Sequence, residues 1–313
     1  MIISSAFIRN NRFKEDTTVK NTIFTGMATA LVTPLTPTGV DYEAMGRLID
    51  FQIDSGIDAL VAVGTTGESA TLEPSEQAEV IRFTVQRAAG RVPVIAGAGT
   101  NNTAHVLENT KNACAAGADA ILVVTPYYNK ATQSGLITHF TTVADASTLP
   151  VILYNVPGRT GCNLQPKTVA KLAEHPNIVG LKEASGNFPQ FLEIMRLCGD
   201  KIDLYSGEDA LTVPMMSMGC KGAISVLSNV VPAQAVAMTD AAKAGDFDKA
   251  AALQLQMLPL IDALFSQVNP IPAKAVVSAM GFGEEYLRLP LTPMEEPFRS
   301  VLFEDMRKLG VTL

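Results

Sequence analysis

Short runs of apolar residues recur along the chain at intervals of about thirty residues, which is the spacing of β/α units. The runs are continuously apolar rather than alternating, as is typical of strands buried on both faces of a parallel sheet. They stand in the stretches "MATALVTP", "ALVAVGTT", "VPVIAGAG", "AILVVTPYY", "PVILYNVP", "IVGLKEAS", "IDLYSGED" and "GAISVLSN". Between them, apolar residues recur at helical spacing, for example over 42–55, 75–89 and 103–116.

Similar sequences precede several of these strands, which indicates a repeated unit. "SGIDALVAV", "AGADAILVV" and "MGCKGAISV" each place a glycine where a helix would end in a left-handed cap: Gly56, Gly117 and Gly219. Alternating strands and helices predict an α/β fold, a (β/α)8 TIM barrel, over residues 23–245. A doubly wound open sheet is the alternative, but its glycine fingerprint is missing. "GAGTNNT" at Gly97 is better explained as a helix start with an Asn or Thr cap.

The two ends of the chain depart from this repeat. Residues 246–313 contain no strand pattern, and three helical stretches there predict a C-terminal three-helix extension: "DKAAALQLQMLPLIDALF", "PAKAVVSAMG" and "EEPFRSVLFEDMRKLG". Residues 1–22 are mostly polar and charged after an apolar start that is too short and broken for a signal peptide. We expect a flexible N-terminal extension there, with the folded domain beginning near Phe24.

Composition narrows the classes of function. With 313 residues and 47% apolar residues, the chain can bury the core of a large barrel. A net charge of −7 without a basic cluster argues against a nucleic-acid partner, and no apolar stretch approaches the ~18 residues of a membrane span. The four scattered cysteines fit a cytoplasmic location. The three histidines, His105, His139 and His175, all fall in predicted helices, so a metal-dependent mechanism has no evident ligands.

Candidate catalytic residues collect where the predicted strands end, which is where TIM barrels carry their active sites. They are Thr65, Thr66, Tyr127, Tyr128, Tyr154, Asn155 and Lys182, with Arg159 in a following loop. A strand-end lysine alone is usually a solvated loop residue, and a strand-end tyrosine is usually a core residue. Together they supply one amine and several weak acids. This set favours Schiff-base chemistry of Lys182 with a carbonyl compound, because burial in an apolar barrel mouth favours the neutral, nucleophilic amine.

The turn "GTTGES", from Gly64 to Ser69, is a second chemical signal. It lacks the lysine and the spacing of a Walker loop. Its cluster of backbone N–H groups and hydroxyls suits a small anion, and the forked donors of Arg159 suit a carboxylate. The sequence therefore predicts two anion-binding groups beside the amine.

From Phe24 onward the chain resembles the dihydrodipicolinate synthase (4-hydroxy-tetrahydrodipicolinate synthase) family of the pyruvate-dependent class I aldolase superfamily. The matching stretches are "GTTGESATL", "VTPYYN", "ILYNVPGRTG", "KEASGN" and "NPIPAK". The resemblance implies a lyase that condenses pyruvate with L-aspartate 4-semialdehyde to 4-hydroxy-tetrahydrodipicolinate, in diaminopimelate and lysine biosynthesis. It implies no metal and no cofactor beyond the covalent imine with pyruvate. It also implies a cytoplasmic homotetramer made of two tight dimers.

The resemblance also implies residue roles. The catalytic set is Lys182, Tyr154, Thr65 and Tyr128, and the substrate-binding set is Thr65, Thr66, Arg159, Gly207 and Ile224. The lysine forms the imine, Tyr154 moves protons, and Thr65 links it to a Tyr128 supplied by the neighbouring subunit. The two threonines bind the carboxylate of pyruvate, and the arginine binds that of the semialdehyde. Backbone groups of Gly207 and Ile224 line the pocket.

Two alternatives remain beside this assignment. N-acetylneuraminate lyase and keto-sugar-acid aldolases share the lysine, the tyrosine and the glycine-rich turn, but they differ around the position of Arg159 because their second substrate is a polyol. A barrel that has lost catalysis and serves as a binding protein is the other alternative. Every catalytic position is filled in this sequence, which argues against it.

Inhibited members of the family bind free lysine in a cleft at the dimer interface. The positions that correspond to this cleft are Ser69, Ala70, Asn101, His105 and Tyr127. Pro74 and Gln77 stand where inhibited bacterial members typically carry two histidines, and His105 stands where they carry a glutamate that pairs with the lysine ammonium. We therefore expect little or no inhibition by L-lysine.

Overall fold

Eight parallel strands close into a barrel in the computed structural model, which describes residues 22–311. The described residues form ten strands in all: β1 (Gly26–Ala30), β2 (Leu35–Thr36), β3 (Gly39–Val40), β4 (Ala59–Ala62), β5 (Val94–Gly97), β6 (Ala120–Val124), β7 (Val151–Asn155), β8 (Ile178–Glu183), β9 (Asp203–Ser206) and β10 (Gly222–Ser225). The ring runs β1-β10-β9-β8-β7-β6-β5-β4, and β2 and β3 form a separate antiparallel pair. The predicted TIM barrel is confirmed. The sequence analysis did not predict the short β2–β3 pair.

Helices connect the barrel strands and cover the outside of the ring. They are α1 (Tyr42–Asp54), α2 (Pro74–Ala88), α3 (Thr103–Ala116), α4 (Gln133–Ala146), α5 (Pro157–Thr160), α6 (Pro166–Leu172), α7 (Phe188–Cys198), α8 (Thr212–Ser217), α9 (Pro232–Lys243), α10 (Phe247–Leu264), α11 (Ile271–Ala279) and α12 (Phe298–Lys308). The last three are the predicted C-terminal helices. Within the described range, none of the helices combines the length and the hydropathy that crossing a membrane requires.

Side chains of the barrel strands alternate between the interior of the ring and the helix layer. Inside the ring lie small and branched residues such as Ala28, Val61 and Ile152. Near the amino-terminal end of β1, the ring of Phe24 stacks on that of Tyr205 with 4.3 Å between centroids. The Tyr205 hydroxyl donates to the Phe24 carbonyl at 2.9 Å, and burial raises the pKa of this phenol. This pair fills that end of the barrel.

The ring closes where β10 meets β1, and glycine is required there. Gly222 pairs with Gly26, and a Cβ on Gly222 would lie 1.8 Å from the Gly26 carbonyl oxygen. At the opposite end of the same seam, Asn229 donates to the Ala30 carbonyl at 2.8 Å and accepts from the Val32 N–H at 3.0 Å. Backbone groups that leave the sheet at β1 are thereby satisfied.

The predicted capping residues are confirmed at the helix ends. Gly56, Gly117 and Gly219 have φ values of 87°, 81° and 98°, as left-handed caps require. Asn102 begins α3, with its side chain accepting from the Ala104 N–H at 3.0 Å. The stretch near Gly97 therefore begins a helix rather than a dinucleotide site.

One expectation about the histidines is wrong. His175 lies in the turn between α6 and β8, because α6 ends at Leu172 and Pro176 disfavours a helical conformation in the residue before it. Its Nδ1 accepts from the Asn177 N–H at 3.1 Å, and its Nε2 lies 3.0 Å from Asp145 Oδ1. The imidazole therefore supports this turn.

The predicted division of the chain at residues 245 and 246 stays a prediction. In the structure α10 begins at Phe247, after its N-cap Asp246. Apart from residue 22, the predicted N-terminal extension lies outside the described residues.

Candidate active site

A cavity of about 290 Å³ opens at the carboxyl ends of the barrel strands. Six residues of the predicted set line it: Thr65, Thr66, Tyr154, Arg159, Lys182 and Gly207. Ser185, Glu208 and Asn269 also line it, and the sequence analysis assigned them no role. Of the predicted set, Tyr128 and Ile224 do not line it. Ile224 is buried in the interior of the barrel.

The lysine predicted to form the imine lies at the end of β8. Lys182 pairs in register with Tyr154 of β7, so the two side chains point the same way from adjacent strands. Lys182 is only 6% exposed, and its Nζ lies 4.4 Å from the centroid of the Tyr154 ring. The barrel therefore holds an amine against an aromatic face in the wall of this cavity.

Gly207 leaves room for this lysine. A Cβ at this position would lie 2.8 Å from Lys182 Cε and 2.7 Å from Ala184 Cβ. Any side chain there would displace the lysine stem. The Gly207 N–H already donates to the Glu183 carbonyl at 2.8 Å, so this N–H has a partner before any substrate binds.

A buried carboxylate fixes the strand ends beside Lys182. Glu183 pairs in register with Asn155, whose Nδ2 donates to its carboxylate at 3.0 Å. The Ser185 N–H donates to the other carboxylate oxygen at 2.8 Å. Burial raises the pKa of Glu183, and these hydrogen bonds oppose the rise. The strand-end pattern placed Asn155 here but did not identify Glu183, since its importance depends on a contact between two strands.

The turn that follows β4 is strained. Val63 and Glu68 both have a φ of 57°. Residues other than glycine rarely adopt this left-handed region, and the β-branched Val63 is the more strained of the two. The Gly64 carbonyl accepts from the Gly67 N–H at 3.1 Å. A Cβ on Gly97 would lie 2.0 Å from the Val63 carbonyl oxygen, so the turn presses against the end of β5 where only glycine fits.

Two groups suited to carboxylates face the cavity. Thr66 Oγ1 accepts from Asn269 Nδ2 at 3.0 Å, which leaves the threonine proton available for a ligand. Arg159 Nη2 donates to the Asn269 carbonyl at 3.4 Å. Within residues 22–311 no hydrogen bond joins the hydroxyls of Thr65 and Tyr154, so the relay between them stays a prediction.

Acidic groups lie beside the amine. Glu208 lines the cavity, and burial raises the pKa of its carboxyl while the charge of Lys182 opposes the rise. Asp209 is buried next to it and accepts from the Val226 and Leu227 N–H groups at 3.0 Å and 2.9 Å. Among residues 22–311 no group of three or more His, Cys, Asp or Glu side chains is arranged to hold a metal ion.

Tyr128 stands apart from this cavity. It is 90% exposed, and its φ is 71°. Its neighbour Tyr127 lines a second cavity of about 610 Å³, which adjoins the first and shares Thr65, Tyr154 and Arg159 with it.

The second cavity contains the whole predicted lysine cleft. Its lining includes Ser69, Ala70, Asn101, His105 and Tyr127, together with Pro74, Gln77 and Glu108. The Gln77 amide donates to the Ser69 and Leu72 carbonyls at 2.8 Å and 3.2 Å. In this chain the Gln77 side chain therefore stabilises the segment from Ser69 to Leu72.

Comparisons with known proteins extend over almost the whole chain. The model of the dihydrodipicolinate synthetase family matches residues 23–308. A 4-hydroxy-tetrahydrodipicolinate synthase of Geobacter sulfurreducens is 49% identical over 286 residues, which cover 91% of this chain and 99% of that protein.

Solved structures agree with the sequence comparison. The chloride-inhibited dihydrodipicolinate synthase of Acinetobacter baumannii, complexed with pyruvate, is 41% identical with a TM-score of 0.91, covering 93% of this chain and 100% of that one. A monomeric dihydrodipicolinate synthase variant is 40% identical with a TM-score of 0.91, covering 93% and 98%.

Proposed function

Because the chain belongs to the dihydrodipicolinate synthetase family, we propose that the cavity residues described above condense pyruvate with L-aspartate 4-semialdehyde through an imine on Lys182. The enzyme is a lyase, and the product is 4-hydroxy-tetrahydrodipicolinate, in the diaminopimelate route to lysine. One observation carries the residue assignment. The buried Lys182 amine lies 4.4 Å from the Tyr154 ring centroid, in the cavity that also holds Arg159 and the threonine turn.

The first half of the reaction uses the amine. Lys182 Nζ adds to the keto carbon of pyruvate, and loss of water gives the imine. The protonated imine draws electrons from the adjacent methyl group, which loses a proton and becomes the enamine carbon. Tyr154 lies beside Nζ and is the group to which we assign these proton transfers. Thr65 and Thr66 hold the pyruvate carboxylate during both steps.

The second half uses the aldehyde. Arg159 binds the carboxylate of the semialdehyde and brings its aldehyde carbon to the enamine carbon. As the new carbon–carbon bond forms, the enamine returns to the imine, and the aldehyde oxygen takes a proton and becomes the hydroxyl group of the product. The amino group of the former semialdehyde then attacks the imine carbon and displaces Lys182. This step closes the ring and returns the lysine as a free amine. The reaction thus needs the lysine, a proton carrier and two carboxylate sites, with no metal or further cofactor.

The exposed Tyr128 supports a shared active site. We propose a cytoplasmic homo-oligomer, a tetramer of two tight dimers, in which Tyr128 of each subunit completes the hydroxyl relay of its neighbour. A large aromatic side chain that is 90% exposed on one chain is suited to such a contact. Because a monomeric relative is known, assembly varies among relatives and must be measured for this chain.

Pyruvate with sodium borohydride should attach one adduct per chain, at Lys182, because borohydride reduces an imine to a stable amine. Mass measurement of the intact chain and of its peptides checks the site. Lys111→Ala, on the exposed face of α3, is the matched control and should label as the unmodified chain does. Full labelling of Lys182→Ala would contradict the assignment.

Arg159→Leu should still form the pyruvate imine but lose turnover with aspartate semialdehyde by at least ~100-fold, since a charged hydrogen bond and substrate alignment are lost together. Arg82→Leu, an exposed arginine of α2, should keep full turnover. Equal loss of labelling and turnover would make Arg159 a structural residue. Faster turnover with N-acetylmannosamine than with the semialdehyde would instead identify a sugar-acid aldolase.

Mixing inactive Tyr128→Phe and Lys182→Ala chains should restore up to about a quarter of the active sites, because random pairing makes about half of the dimers mixed and each mixed dimer has one intact site. Tyr154→Phe mixed with Lys182→Ala is the control. It should recover no activity, since each active site takes its Tyr154 and its Lys182 from the same chain. No recovery in the first mixture, after subunit exchange is demonstrated, would rule out the shared relay.

L-lysine should inhibit weakly, with half-inhibition above about 1 mM, because His105 cannot replace a carboxylate partner of an ammonium and the loss is worth roughly 10- to 150-fold in affinity. A lysine titration at subsaturating pyruvate measures it. His105→Glu should strengthen inhibition at least ~10-fold. Glu108→Gln, in the same cavity, should change little. Tight inhibition of the unmodified chain that Glu108→Gln abolishes would show that Glu108 supplies the carboxylate instead.

A further inference from the structure

The segment "NPIPAK", Asn269 to Lys274, has no part in the chemistry proposed above, yet it contacts both carboxylate-binding groups. Asn269 donates to Thr66 Oγ1 at 3.0 Å and accepts from Arg159 at 3.4 Å through its backbone carbonyl. Five residues later, Lys274 reaches the same turn at Glu68. A segment of the C-terminal helical region therefore touches the turn at two points.

The second contact is a buried ion pair. The side chains of Lys274 and Glu68 are 1% and 0% exposed, and they are hydrogen-bonded to each other. Lys274 Nζ also donates to the Tyr286 carbonyl at 3.0 Å. The other carboxylate oxygen of Glu68 has the Arg288 N–H at 3.4 Å. The lysine is therefore the charged partner on which this buried carboxylate depends.

Apart from Lys274, the surroundings offer little positive charge to balance the Glu68 carboxylate. The guanidinium of Arg288 is the next positive group, and it binds Glu76 through both of its terminal nitrogens, at 2.5 Å and 2.6 Å. It also donates to the Thr71 carbonyl at 2.9 Å. Tyr286 offers only a carbonyl. Since Arg288 is already paired with a carboxylate, Lys274 carries the neutralisation of Glu68.

The position of Glu68 makes its charge relevant to substrate. Glu68 lies two residues after Thr66 in the turn, and its own N–H donates to the Thr65 carbonyl at 3.1 Å. An uncompensated carboxylate in this turn would repel the carboxylate of pyruvate, because like charges in a site of low dielectric disfavour each other strongly. The same carboxylate paired with an ammonium presents no net charge.

We infer that Lys274 is a positioning residue for pyruvate binding, which acts through Glu68 by cancelling the negative charge within the turn that receives the pyruvate carboxylate. This inference rests on the proposed function of the turn. It assigns a task to a helix of the C-terminal extension. Without Lys274 the turn keeps its hydroxyls but acquires a repulsive charge.

Lys274→Met tests this, with the pyruvate concentration that gives half-maximal borohydride labelling of Lys182 as the measurement. At about pH 8 this concentration should rise at least ~10-fold relative to the unmodified chain, while saturating pyruvate still labels fully.

The double variant Glu68→Gln/Lys274→Met separates charge from shape. It lacks both charges, so its half-labelling concentration should stay within ~3-fold of the unmodified chain. Arg299→Met is the control for a general effect of the region, since it breaks the ion pair with Glu285 away from the turn. It should leave the half-labelling concentration unchanged. If Lys274→Met does not fold, Lys274→Gln replaces it with the same expectations.

The outcomes are distinct. Equal pyruvate binding by the Lys274 single variant and the unmodified chain overturns the inference. So does equal weakening in the single and double variants, since a merely structural role would not depend on the charge of Glu68. A failure of the unmodified chain to label at Lys182 would instead overturn the proposed function.

Discussion

The hydrogen-bonded register of β7 and β8 is the constraint on which the site depends. It sets Tyr154 opposite Lys182 and Asn155 opposite Glu183. Since successive residues of a strand face opposite sides, a shift of one residue would turn Lys182 into the helix layer and Glu183 into the barrel mouth. A closed ring resists such a shift because every strand is paired on both sides. The close approach of Gly222 to Gly26 is what allows the ring to close.

The barrel and its loops contribute different chemistry. The strands supply the amine and its aromatic neighbour in fixed directions, and the turn after β4 and the short helix α5 supply the groups that we propose bind carboxylates. Those loop groups are held from the C-terminal region by Asn269, which contacts both Thr66 and Arg159. Buried titratable groups accompany this arrangement, namely the Glu68–Lys274 pair and the carboxyl groups of Glu183 and Asp209. Burying such groups costs desolvation free energy, so their presence next to residues that line the cavities is better explained by positioning than by stability.

Sequence patterns were sufficient for the barrel strands and for several helix ends. Continuous apolar runs identified the barrel strands, and cap glycines such as Gly117 identified helix ends, because burial on both faces and a left-handed φ each restrict residue type directly. His175 was misplaced because the helical pattern of α6 was extended past its end. The contacts of Glu183 and Lys274 could not be predicted from the periodicity of the sequence. Lys274 contacts a residue 206 positions away, and only the folded chain shows that a lysine in an apolar helix pattern is paired with a carboxylate.

The turn after β4 is a wall of both cavities, and this links them physically. Thr65 lines each of them, Ser69 lines the second cavity, and the Ser69 carbonyl is held by the Gln77 amide. A ligand in the second cavity can change pyruvate affinity only if it binds differently to two arrangements of this turn, and pyruvate must then change the affinity of that ligand equally. Here the turn is restrained on one side by Gln77 and on the other by Lys274. Both restraints favour a single arrangement, so the same contacts that we propose prepare the turn for a carboxylate also limit how far a ligand in the second cavity can shift it.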